Sequence, residues 1–287
     1  MTKTNRVKIT ECPRDAMQGL LAFVPTELKI KYLSALANTG FDTLDFTSFV
    51  SPKAIPQMRD ASEVTEALSE SKTDTELLAI VANLRGAQDA SNFPGIDTLG
   101  YPFSVSETFQ LKNTKKNREE SLELVKRILE VTYQSNKKLR VYLSMAFGNP
   151  YGEEWSPAIV LEYASKLIEM GVHELALSDT TGTGTPSTIE PLFAHATESF
   201  PDAIWMAHLH ATPKASVTNI EATLKAGCRY FDSALGGYGG CPMAKDDLTG
   251  NIATETLIAT LDKQGISHNI DTEKLKEAQK IASEIFV

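Results

Sequence analysis

Short apolar runs alternate with amphipathic stretches eight times along this chain, and that alternation restricts the fold more than any other feature. The runs at 7–11, 43–46, 77–82, 98–103, 140–145, 174–177, 204–208 and 230–234 have the length and residue types of strands. Between them fall helical stretches at 25–38, from about 62, at 84–90, 118–134, 157–170, 186–199 and 213–226, and two more, 252–263 and 272–285, close the chain. Capping chemistry marks the boundaries. Ser62 and Ser156 stand as N-caps, Glu63 and Glu66 fall in first turns, Pro157 takes a first helical position, and Gly40 and Gly171 follow helix ends. Eight strand–helix units without a long linker predict an α/β fold, a (β/α)8 TIM barrel with extra C-terminal helices. An open doubly wound sheet is the alternative, and no G-x-G-x-x-G follows the first strand to support a dinucleotide site. The 287 residues suit one barrel of roughly 250 residues, so 1–287 is read as a single catalytic domain with the terminal helices at about 252–287.

The formal net charge of −9 argues against a nucleic-acid partner, which needs a basic face. Cys12, Cys228 and Cys241 show no paired spacing, which fits a reducing compartment. The first residues are polar, and no run of 18 apolar residues occurs. A cytoplasmic protein with no membrane partner is expected, with a homodimer left open.

In such a barrel, chemistry gathers where strands end and βα loops begin. His208 and His210, spaced i and i+2 at the end of the seventh run, project to one face and suit two ligands of one ion. Two hydrogen-bonded histidines in a loop mouth are the other reading. Arg14 and Asp15 follow the first strand, Asp45 ends the second with Ser48 just beyond, and Asp179 ends the sixth. Asp15, His208, His210 and Asn251 form a mixed oxygen–nitrogen set suited to octahedral Mg2+ or Mn2+. Zinc fits less well without a thiolate cluster, although two imidazoles leave it open. Asp15 also reads as a turn or cap carboxylate, and Asn251 as the N-cap of the following helix. Arg14 offers a fixed positive charge for an oxyanion, or a surface ion pair. Asp45 reads as an orienting partner or as a buried structural carboxylate. Cys241 lies in Gly236-Gly237-Tyr238-Gly239-Gly240-Cys241-Pro242, a glycine-rich stretch that could close over a site and deliver a proton.

The motifs PRDAMQ, TSFVSPKAIPQM, SDTTGTGTP, HLH, and GGYGGCPMA followed by GNIATE resemble the hydroxymethylglutaryl-CoA lyase branch of the metal-dependent lyase/synthase barrels over about residues 7–261. The cysteine-bearing glycine segment separates the lyases from the related malate-type synthases. The resemblance implies that Asp15, His208, His210 and Asn251 bind the divalent cation, that Arg14 polarises a substrate oxygen, and that Cys241 transfers a proton. Asp179 matches the family's active-site Asp, while Asn113 and Glu255 match polar residues that shape the site. The implied reaction is retro-aldol/Claisen cleavage of a 3-hydroxy acyl-CoA thioester, hydroxymethylglutaryl-CoA or a related substrate, to acetyl-CoA and acetoacetate for the parent compound. His208 or Asp179 is the base. A metal-dependent aldolase or condensing synthase, and a non-catalytic ligand-binding barrel, are the rival readings.

The chain departs from the family at Ala16, Asp45 and Ala211, where Gly, Glu and Asp are usual, and in the apolar stretch GLLAFVP after Gln18. The expectation is an intact metal and proton-transfer apparatus with an altered substrate pocket. Residues 20–24 are expected to form a wall of that pocket or to fold into the core.

Overall fold

The computed structural model describes residues 6–70, 73–240 and 249–286. The first half runs β1 (Lys8–Glu11), α1 (Pro13–Gln18), α2 (Thr26–Ala37), β2 (Thr43–Ser48), α3 (Ala61–Ser69), β3 (Glu76–Ile80), α4 (Leu84–Ser91), β4 (Thr98–Ser104), α5 (Glu107–Thr114) and α6 (Arg118–Gln134). The second runs β5 (Lys138–Ser144), α7 (Pro157–Glu169), β6 (Glu174–Asp179), α8 (Pro186–Ser199), β7 (Ile204–Ala211), α9 (Pro213–Lys225), β8 (Tyr230–Ser233), β9 (Gly250–Asn251), α10 (Thr254–Lys263) and α11 (Thr272–Ile285). Strands β1 to β8 pair in parallel in chain order, and β8 returns to β1, so the sheet closes into the expected barrel. Closure leaves the ring no free edge. Strand β9 adds to β7 in the antiparallel sense at the mouth. No helix among the described residues is long and apolar enough to cross a membrane.

The helices form where capping chemistry starts them. Asn117 accepts the Glu120 N–H while Glu120 accepts the Asn117 N–H, a reciprocal box that begins α6. Ser156 caps α7 with Pro157 in its first turn. Two helices lie where the apolar pattern gave no signal. α1 and α5 are short, six and eight residues, and stand on βα connections at the barrel mouth.

Strand alternation sorts residues into two apolar layers. One contiguous cluster between sheet and helices runs from Val7 to Ile285. A small separate cluster, Leu78, Ile80, Tyr142, Ala176 and Met206, fills the barrel interior. Gly100 makes room for it. A Cβ there would lie 2.5 Å from Ile80 Cδ1 and 3.2 Å from the Tyr142 ring. Below this plug Arg140 pairs with Glu174 at 3.1 Å, and above it the polar mouth begins.

Strand β1 ends on a fully buried carboxyl, Glu11, which accepts the Leu235 N–H at 2.7 Å and the Thr254 hydroxyl at 2.5 Å. It ties β1 to the segment after β8 and to the start of α10. Burial pushes the Glu11 carboxyl up to about 8, against the pull of Thr254 and Leu235. The folded chain therefore holds this proton more tightly than the unfolded chain. Its stabilising contribution is complete below about 4.5, the ordinary value, and is lost as pH rises to about 8. Urea titrations of chelator-treated protein between pH 5 and 8 should show stability falling, by at most about 1.4 kcal/mol per pH unit from this group. Glu11→Gln should flatten that slope, and an unchanged slope would refute the assignment.

Candidate active site

Strand β7 carries two imidazoles into the barrel mouth because it extends to Ala211, three residues beyond the run read from the sequence. His208 and His210 share the inner face, with ring centroids 5.1 Å apart. Each ring is fixed by its Nδ1. His208 Nδ1 lies 3.1 Å from Asp232 Oδ2, and His210 Nδ1 lies 3.1 Å from the Thr180 carbonyl oxygen. A carbonyl only accepts, so His210 carries its proton on Nδ1 and presents a bare Nε2. That Nε2 is buried and has no hydrogen-bond partner.

Arg14 and Asp15 arrive on α1, whose first residue is Pro13. The Arg14 guanidinium donates to both oxygens of Asp45, at 3.1 and 2.5 Å, and also to Asp15 at 3.1 Å and Gln18 at 3.0 Å. A register shift in β2 between Asp45 and Thr47 accommodates this arrangement. The extra residue breaks the simple alternation, so Ser48 lines the cavity three residues after the inward Asp45.

Asn251 is delivered by β9, whose pairing sets it opposite His210. Its Nδ2 donates to Asp15 Oδ2 at 2.7 Å and to the Tyr238 carbonyl at 2.9 Å, which leaves Oδ1 as the atom it could offer a cation. The backbone comes close here. Gly239, at φ 88°, would place a Cβ 2.7 Å from Asn251 Nδ2 and 2.9 Å from the Asp15 carbonyl oxygen. A side chain at this position is excluded by both conformation and space.

Burial alone would raise the Asp15 carboxyl; Arg14, the two imidazoles and the Asn251 amide bring it down to about 2. Burial pushes Asp45 up, while two-point contact with Arg14 keeps it the ionised partner of that pair. Burial and the neighbouring His208 lower His210 to about 4. His208 shifts the other way, because Asp232 outweighs burial. One ligand atom each from Asp15, His208 and His210 lies within 4.8 Å of the others. Cys12, His208 and Asp232 are equally close, but burial lifts the Cys12 thiol well above its usual range, which keeps it protonated and a poor ligand. The mouth set, with its orphaned Nε2 and ionised carboxylate, fits a divalent cation.

The cluster forms the floor of a cavity of about 550 Å3. Ile80, Ala82, Pro102 and Phe109 give it an apolar wall, and Lys115 and Lys116 stand among its lining residues.

The family model for HMGL-like proteins matches residues 6–282. The chain belongs to the HMGL-like family. This HMGL-like chain is 35% identical over 281 residues to hydroxymethylglutaryl-CoA lyase YngG of Bacillus subtilis, covering 98% of this chain and 93% of that protein. The crystal structure of the Bacillus subtilis HMG-CoA lyase superposes with a TM-score of 0.92 at 34% identity, covering 100% of this chain and 96% of that one. An HMG-CoA lyase from Acinetobacter baumannii, solved in complex with coenzyme A and 3-methylmalate, gives 0.90 at 30% identity, covering 99% and 92%.

The other sequence-derived residues fall in three places. Asn113, like Ser48, lines the cavity. Asp179 is buried and does not line it. Its oxygens accept the Thr183 and Gly184 N–H groups at 3.0 and 2.8 Å, and burial still pushes it up to about 6. Glu255 also stands apart, accepting the Gly236 N–H at 3.0 Å and the Gln279 amide at 2.9 Å. Cys241 lies outside the described residues. None of the family departures lines the cavity. Asp45 is buried behind Arg14, and Ala16 and Ala211 are buried. Residues 20–24 form no wall of it either. Val24 is buried and bonded to Gln57, Phe23 lies against the Arg59 guanidinium, and Leu21 is fully exposed.

Sequence reasoning missed Asp232, Thr180 and Gln18. Asp232 did leave a signal, a lone carboxylate in the apolar strand Tyr-Phe-Asp-Ser, which a buried pair explains. The Thr180 carbonyl leaves none, since any residue supplies one.

His210→Ala should weaken Mn2+ binding by more than about tenfold, a loss that removal of an outer partner alone can reach. Isothermal titration reads the affinity, and the melting temperature should fall only by the loss of the Thr180 bond and of the buried ring, with the barrel still folded. Unchanged affinity would remove His210 from the ligand set.

Proposed function

We propose that this chain cleaves 3-hydroxy-3-methylglutaryl-CoA between C2 and C3, giving acetyl-CoA and acetoacetate. The observation that carries this reading is the donor set of Asp15, His208 and His210 beside Arg14 on the floor of a mainly apolar cavity. The lyase names of its full-length relatives point the same way. The cavity volume suits a small-molecule site of about 300–1,000 Å3. Lys115 and Lys116 are the groups we assign to the phosphates of the CoA arm.

Asp15, His210 and Asn251 would hold Mg2+ or Mn2+, with the His208 imidazole at its edge. When bound, the cation supplies the charge that lowers the pKa of the substrate hydroxyl. His208 is the donor with a carboxylate behind it, so we assign it the hydroxyl proton; Asp232 stabilises the imidazolium that results. The O–H electron pair then forms the C3 carbonyl as the C2–C3 bond breaks, and the bond's electrons pass to the thioester enolate. Arg14, held rigid by Asp45 and Asp15, offers its N–H groups to the developing negative charge. Cys241 is assigned, on its sequence motif, as the group that returns a proton to C2. Asp179 is assigned to the turn that carries Thr180, whose carbonyl orients His210.

The direct test is product formation. Hydroxymethylglutaryl-CoA with Mg2+ or Mn2+ should yield acetyl-CoA and acetoacetate in equal amounts. Chelation should abolish turnover, and added metal should restore it. No cleavage with either metal would overturn the reading.

Cys241→Ser raises the donor pKa by several units and should lower kcat by about 10²-fold or more, the scale of a lost general acid. Metal content and KM should stay near those of the parent. Cys12→Ser and Cys228→Ser, both at buried thiols, serve as controls. A Cys241→Ser enzyme as fast as the parent would reject the proton-donor role.

A further inference from the structure

We propose that Phe286, near the end of the chain, is a positioning residue for Asn251, acting through a ring stack on Tyr238; this rests on the cation-site reading above. The Tyr238 and Phe286 rings are 4.3 Å apart and 8° from parallel. The Tyr238 carbonyl accepts the Asn251 amide at 2.9 Å, and the same amide nitrogen donates to Asp15 at 2.7 Å. With both N–H bonds committed, Asn251 can turn only its Oδ1 towards a cation. The Tyr238 carbonyl therefore decides which end of the amide the site receives.

The carbonyl needs an external anchor. Tyr238 sits among Gly236, Gly237, Gly239 and Gly240, all at positive φ, so its neighbours supply no side chains to hold the backbone. Its ring lies across Gly236, where a Cβ would come within 2.4 Å of it. The ring thus packs against the segment that carries its own carbonyl, and holding the ring restrains that segment. Tyr238 is 43% exposed, and Phe286 is the aromatic ring stacked on it among the described residues.

Phe286 is itself held from below. Its ring meets Tyr32 of α2 edge-on at 6.2 Å, and α11 packs along α2. Two turns earlier on α11, Gln279 steadies Glu255, which takes the Gly236 N–H. The last helix thus grips the glycine segment at two points, one polar and one aromatic. Neither contact touches substrate, so the role is positional.

The test uses the full chain and two readouts. In metal-free protein, the side-chain amide protons of Asn251, followed by NMR, should exchange at least about tenfold faster in Phe286→Ala. Mn2+ affinity should fall about three- to tenfold, the scale of one aromatic pair. Phe286→Tyr keeps the stack and should restore both. A purely structural role for Phe286 would lower the melting temperature without moving either readout. Tyr238→Ala, which keeps the carbonyl but removes the ring, should reproduce Phe286→Ala and serves if the latter does not fold. Unchanged amide exchange in both alanine variants, or no restoration by Phe286→Tyr, overturns the proposal. Faster amide exchange in the alanine variants, with a parent chain that binds no Mn2+, would support the positioning role and reject the cation reading instead.

Discussion

Four buried carboxylates inside the barrel, Asp15, Asp45, Glu174 and Asp232, face two guanidiniums, Arg14 and Arg140. Two negative charges are left over among these groups. Uncompensated buried charge is costly, and a single divalent cation at the mouth would supply the missing balance. The groups are layered along the barrel axis. Arg140 and Glu174 lie lowest, Asp232 and His208 in the middle, and Arg14, Asp45 and Asp15 at the top. Asp232 links the lower layers, since it lies 3.8 Å from Arg140 and 3.1 Å from His208. A substitution deep in the barrel, at Arg140 for example, is thereby felt at the mouth without touching it.

The same layering explains why the strands tolerate so many polar residues. The apolar plug of Leu78, Ile80, Tyr142, Ala176 and Met206 separates the lower ion pairs from solvent at the mouth. Tyr142 belongs to the plug and to the cavity lining, and its ring meets His208 edge-on at 5.4 Å. Packing and chemistry meet on that one ring, made possible by the missing Cβ of Gly100.

Much of this was legible from sequence because the physics was periodic. The spacing of His208 and His210 requires a shared face in a strand, and the strand runs on through both. Alternation of apolar runs with helical stretches carried the barrel, since parallel strands need crossovers. Where periodicity breaks, the reading ran out. The irregularity in β2 sends Ser48 inward after Asp45, which simple alternation does not allow. The helix α1 is too short to show a period, so Arg14 and Asp15 were placed only as a loop pair. Asp179 read either as the sixth strand's contribution to the cavity or as a group bonded within its own turn, and that turn takes both its oxygens through backbone N–H groups. The apolar residues 20–24 read either as a pocket wall or as core; Gln57 and Arg59 hold them away from the cavity, with Val24 buried.

The pairing of Asn251 with Asp15 joins positions 236 residues apart in the chain. One group stands directly after the first barrel strand and the other after the eighth. Contacts of such long range form late, after the loop between them has been ordered. A nascent barrel that has made seven of its strands still lacks the amide, because β9 follows β8. Occupancy of the proposed cation site would thus report that β9 has docked on β7. A barrel in which β9 had not docked would lack the Asn251 amide beside Asp15 even with both histidines in place.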